Sequence, residues 1–146
     1  MSSKLYKVSS LIVLLLDFAA ATVALFMGGC DTLTDSGDPM RCKWTFNVVF
    51  AVLMVPILVN AFTFRSKNFN VVRLFPSAVI ICTLACSIIM TSAGIGICSD
   101  PAMHCHTTRS VVQILLALAF FASLAELVII KKESKKGEIE VPKKTL

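Results

Sequence analysis

The chain has 146 residues, 56% of them hydrophobic, with a mean hydropathy of +0.81 and a formal net charge of +5. That much apolar side chain exceeds what a soluble domain of this length buries, so composition excludes an ordinary water-soluble globule. The basic excess sits at segment ends, which gives no support for nucleic-acid binding and favours anionic lipid headgroups.

The first predicted element is a membrane-spanning helix over about Val8 to Gly28, close to the ~20 residues a hydrocarbon core requires. Lys4 and Lys7 ahead of it and Met27-Gly28-Gly29-Cys30 behind it resemble a lipoprotein signal, but the apolar core is too long for a signal region and Met27 suits that box poorly. Asp17 stands near the middle of this span, where an ionised group costs about 2.5–3.5 kcal/mol even on the lenient insertion scale. It is expected to face the bundle interior or a partner subunit, protonated or hydrogen-bonded to Thr83, Ser87 or Asn60. Ala19-Ala20-Ala21 makes the span thin enough for close helix approach.

A loop with Cys30 and Asp38-Pro39-Met40-Arg41-Cys42-Lys43-Trp44 leads to a second span over Thr45 to Phe64, which Pro56 should bend. Arg65, Lys67 and Arg73 fill the short connection to a third span over Leu74 to Ile97. Pro76 falls in its first turn, where the missing N–H is harmless. Cys82 and Cys86 share one face near its middle and read first as small apolar packing residues; the alternative is a reducible dithiol or, with Asp17 at similar depth, a carboxylate and two thiols converging as an incomplete metal site. Ser92-Ala93-Gly94-Ile95-Gly96 thins the far end. The second loop carries Cys98 and Asp100-Pro101-Ala102-Met103-His104-Cys105-His106-Thr107 before a fourth span over Ser110 to Ile130. Glu126, near the end of that span, is expected to reach the interface or pair with Arg65 or Lys131. From Lys131 onward the charged tail, with Gly137 and Pro142, is expected to be disordered or lipid-associated.

The two loops repeat one pattern: a Cys at the end of an apolar run, Asp-Pro, Met-x-Cys, then Thr opening the next run. The chain therefore reads as a duplicated hairpin. The runs are continuous, without the two-residue alternation of a β-barrel. The expected fold is all-α: a four-transmembrane-helix bundle of two parallel-repeat helical hairpins, 8–64 and 74–130, forming one domain over 1–130 with a tail over 131–146. Basic residues before the first span, between the second and third, and after the fourth place both termini in the cytoplasm and both cysteine loops outside.

Four of the six cysteines, Cys30, Cys42, Cys98 and Cys105, then lie where disulfides persist. Of the three possible pairings, Cys30 with Cys42 and Cys98 with Cys105 lets each bridge close its own loop. No Cys-x-x-Cys is present, which disfavours a redox-active pair. Met103, His104 and His106, with Cys105 beside them, are the donors that a copper-like metal ion prefers. In the first loop Arg41 and Lys43 replace both imidazoles, so a metal site is lopsided, and Met-x-Cys beside Pro reads equally as a helix-entry device with Thr45 or Thr107/Thr108 as N-cap.

Cys30, Met40, Arg41, Cys42, Trp44 and Thr45, with Gly96, Cys98, Met103, Cys105, His106 and Thr107, resemble the pattern of an uncharacterised family of short four-span prokaryotic membrane proteins. The resemblance covers the four spans and omits the tail. It implies an accessory subunit of an ABC transporter, with a permease of the lipoprotein-release or macrolide-exporter type as partner and Trp44 and His106 as contact or ligand residues near the outer surface. No signature of an enzyme accompanies it. Three readings follow: a non-enzymatic transport-complex subunit in the cell membrane with Trp44 and Asp17 at the partner interface, a metal-binding or metal-delivery protein using Met103, His104 and His106, and a membrane thiol-disulfide oxidoreductase.

Overall fold

The computed structural model describes residues 3–28, 41–63, 73–91, 94–95 and 104–139, with side-chain surroundings over 8–28, 41–62, 73–91, 94–95 and 104–132. Four helices follow in chain order: α1 (Ser3–Met27), α2 (Arg41–Thr63), α3 (Leu74–Ile89) and α4 (His104–Ile139). All regular structure among the described residues is helical. Three of the helices, over Val8–Met27, Arg41–Phe62 and His104–Lys132, are long and apolar enough to cross a membrane, and Leu74–Ile89 is a shorter apolar helix. The chain is an integral membrane protein with a four-helix architecture.

Each helix packs on two neighbours, α1 on α2 and α4, and α3 on α2 and α4, so the four form a closed ring. Neighbours run antiparallel. Gly28 at the end of α1 abuts Phe46 near the start of α2, while Ser10 near the start of α1 donates to Asn60 near the end of α2 at 3.5 Å. At one mouth of the bundle, Thr108 Oγ1 of α4 donates to the carbonyl of Met27 at 2.8 Å, giving a terminal acceptor of α1 a partner. Cys86 Sγ of α3 lies 3.8 Å from the Val49 carbonyl of α2.

The duplication is written into the inward faces. Cys42/Cys105, Thr45/Thr108, Val49/Val112, Leu53/Leu116, Pro56/Ala119 and Asn60/Ser123 are all buried, each pair 63 residues apart. Their steps of three and four residues trace one helical face. On α1 and α3 the equivalent buried pairs, 66 residues apart, are Ser10/Pro76, Val13/Val79, Asp17/Thr83, Ala20/Cys86 and Ala24/Met90. Ala20 and Ala24 of α1 therefore stand where the larger Cys86 and Met90 stand in the second repeat. Ala20, Ala24, Cys86 and Met90 all belong to one apolar cluster with Phe46, Leu53 and Leu116. Val13, Phe75, Val79 and Ala119 form a second cluster toward the other end.

Four expectations about element limits are corrected. First, α2 begins at Arg41 and α4 at His104, so Cys42 and Cys105 belong to the first helical turns and point into the bundle. Second, Thr45 and Thr108 are not N-caps: each lies inside its helix and donates back to the carbonyl four residues earlier, Arg41 and His104, at 3.1 Å in both cases. Third, α3 stops at Ile89, eight residues before the expected end at Ile97. The Thr91 N–H turns back to the Ile88 carbonyl and the Gly94 N–H to that of Thr91, both at 3.0 Å, so Gly94 belongs to a turn and not to a thin helical face. Ser92, Ala93 and Gly96 lie outside the described residues. Fourth, α4 continues through Ile139, nine residues past Ile130, because Lys and Glu favour helix once the chain leaves the apolar stretch. Pro76 sits in the first turn of α3 as expected, and Pro56 lies inside α2.

Candidate functional site

Two groups of residues depart from the repeat, and they occupy different depths. At the mouth formed by the end of α1 and the start of α2, Trp44 is 60% exposed on the first turn of α2. Its equivalent in the second repeat is Thr107, and the equivalent of the buried Phe46 is Arg109, whose Nε is buried without a hydrogen-bond partner. A cleft of about 260 Å³ opens between α1 and α2 at this mouth, lined by Ala24, Phe26, Gly28, Phe46, Asn47 and Lys43, the chain neighbour of Trp44. Gly28 shapes this cleft: a Cβ there would collide with the Ala24 carbonyl and the Phe46 side chain. Sequence reasoning singled out Trp44 and missed the cleft. The signal available was Gly28 at the end of an apolar run whose Ala20, Ala21 and Ala24 already let another helix approach.

The second group is internal. Asp17 is 0% exposed and Glu126 1% exposed, and neither oxygen of either carboxyl has a hydrogen-bond partner. Asp17 faces the bundle interior, one of the two placements expected, where a partner docked on the outside does not reach it. Its expected hydrogen bonds to Thr83, Ser87 or Asn60 do not form. Thr83 instead donates to the Ile80 carbonyl at 3.0 Å and Ser87 to that of Thr83 at 2.8 Å. The hydroxyls are held by their own helix, a common outcome for Ser and Thr in apolar surroundings. Glu126 also departs from expectation: it does not reach the interface or pair with Lys131, which is exposed, and Ser9 of α1 stands beside it without closing a hydrogen bond. Arg65 lies outside the described residues.

The thiols occupy two levels. Cys82 and Cys86 are buried on α3 within electrostatic range of Asp17, as their spacing predicts. Among the described residues no three His, Cys, Asp or Glu side chains come together as a metal-binding group. On α4 His104 is exposed, Cys105 buried and His106 half-buried. Successive helical positions point about 100° apart, so these neighbours diverge from one another. Met103 lies outside the described residues, as do Cys30 and Cys98, on which both expected disulfides depend. Gly28 against Phe46 brings the end of α1 to within one helical turn of Cys42.

Neither the curated proteins nor the solved structures yield a match. The family model described as a domain of unknown function, DUF4418, matches residues 8–130, all four helices of the bundle included, and the chain belongs to that family.

Proposed function

We propose that this protein is a non-enzymatic accessory subunit of a membrane transport complex, docking through the α1–α2 mouth onto a transporter permease. The observation that carries this reading is an exposed Trp44 at the same mouth as a cleft lined by its chain neighbour Lys43, with no tryptophan at the equivalent point of the other repeat. Where two repeats share a residue, packing explains it. Where one repeat alone carries an exposed indole at the same mouth as a preformed recess, the arrangement matches an interface anchor: a large aromatic side chain near a pocket able to receive a partner's knob. Lys43 and Asn47 give the cleft wall a polar rim. An ABC-type permease of the lipoprotein-release or macrolide-exporter class is the partner that the family pattern implies. In this reading both termini are cytoplasmic and the Trp44 mouth faces outward, in line with the basic residues before α1, between α2 and α3, and late in α4.

A photoreactive residue placed at position 44 tests the proposal in intact membranes. A single protein adduct is expected at Trp44, identified by mass spectrometry as a permease. No such adduct should form at Phe62, which is also exposed but lies at the opposite end of α2. Trp44→Ala should lower co-purification of that permease at least fivefold. Adducts to lipid alone at position 44 contradict the reading, as does the same protein adduct at both positions.

A further inference from the structure

The buried carboxyls need an explanation that docking does not supply. Asp17 lies between the two apolar clusters, one turn from Val13 of the inner and one turn from Ala20 of the outer. The repeat places the neutral hydroxyl of Thr83 at the equivalent point. Glu126 likewise occupies the position equivalent to Thr63. Each carboxyl therefore exceeds what the architecture requires, and all four oxygens are sealed from solvent without a hydrogen bond. An ionised carboxylate without a counter-charge is costly in such surroundings, so each group takes up a neutralising ligand more readily than an exposed carboxyl does.

The neighbours of Asp17 decide which ligand. From α3 the titratable groups facing it are the thiols of Cys82 and Cys86. Among the described residues α2 offers no titratable side chain at this depth, and α4 offers Glu126 two turns toward the inner end, followed by the exposed Lys131 and Lys132. A hard cation needs several oxygen ligands in one sphere. Thr83 is committed to a backbone carbonyl, and the thiols join Asp17 in no metal-binding group. A proton needs only the carboxyl itself. Between Asp17 and the inner end lie further buried polar groups: Ser10 and Asn60, bonded to each other, and Ser123, one turn from Glu126 with its Oγ unpartnered.

We propose that Asp17 is a proton-binding carboxyl at the centre of the bundle, exchanging with the Lys-rich end through Glu126 and the hydroxyls of Ser123 and Ser10. The site is independent of the Trp44 mouth. Dicyclohexylcarbodiimide, an apolar reagent that adds to a protonated carboxyl, tests it on the full chain in proteoliposomes. Asp17 should be modified at pH 6 and at least tenfold less at pH 9, and Asp17→Asn should lose the adduct while keeping its circular dichroism spectrum. In Glu126→Gln the pH profile of Asp17 should persist, while its re-equilibration after a pH jump slows at least tenfold. Absence of an Asp17 adduct in the folded protein, or labelling indifferent to pH, overturns the proposal. So does protection by sodium or potassium ions at constant pH, which would make a metal cation the ligand. Unchanged re-equilibration in Glu126→Gln removes the exchange route.

Discussion

Gly28→Ala should destabilise the bundle by about 2–3 kcal/mol, a large effect for one methyl group. The added Cβ would overlap the Ala24 carbonyl and the Phe46 side chain. The Ala24 carbonyl belongs to α1 itself, so that overlap distorts the end of α1, while the Phe46 atoms struck are those nearest its backbone and cannot swing aside, so the end of α1 and the start of α2 must separate. That separation would also open the cluster in which Ala20, Ala24 and Phe46 meet. Titration with a denaturing detergent, followed by circular dichroism, reads the loss as a lower midpoint. Ala125→Leu on the exposed face of α4 serves as the control and should shift stability by less than about 0.5 kcal/mol. Combining Gly28→Ala with Phe46→Ala should cost less than the sum of the two single changes, because the second removes the Phe46 ring, one part of what the first strikes, and leaves the Ala24 carbonyl and the Cβ at position 46 in place. Additive losses would show that Phe46 is not the obstacle.

Leu53→Ala and Leu116→Ala should each cost about 2–4 kcal/mol, and the two should agree within about 1 kcal/mol. Both side chains are buried in the same cluster at equivalent points of the repeat. Inside a membrane the loss comes from the cavity and its missing dispersion contacts, since lipid solvates the unpacked side chain as well as protein does. Leu118→Ala, exposed on α4, should be near neutral in the same assay. A cost at Leu53 several times that at Leu116 would mean that the repeat is a feature of sequence without mechanical equivalence.

What the sequence made legible follows from what hydropathy measures. Continuous apolar runs located all four helices, and the paired cysteine motifs revealed the duplication. Helix limits were less visible, because the edge of an apolar run marks the edge of the hydrocarbon and not the last hydrogen bond. Arg41 to Trp44 and Lys131 to Ile139 are helical although their sequences are rich in charged residues, whereas α3 ends within an apolar stretch where Thr91 and Gly94 permit a turn. Which face of each helix points inward was hidden too, since membrane helices are apolar all round and carry little periodic signal. Aligning the repeats at 63 residues would have marked Cys42, Thr45, Val49, Leu53 and their equivalents as the inner face. The inward placement of Asp17 was legible from cost alone. The burial of Glu126 was not, because a long side chain near a helix end ordinarily reaches the interface.

The shortest of the four helices is α3. Its 16 residues rise about 24 Å at 1.5 Å each, short of the ~30 Å hydrocarbon core. Crossing then requires the turn through Thr91 and Gly94 to complete the span, or the bilayer to thin locally.

Protease-site insertion in sealed, right-side-out vesicles tests this directly. Sites inserted after Ser36 and after Asp100 should be cut by protease added outside, and sites after Lys67 and after Lys143 only once the vesicles are permeabilised. A site after Asp100 that is protected until permeabilisation would show that α3 does not cross, and the duplicated four-span bundle would be contradicted.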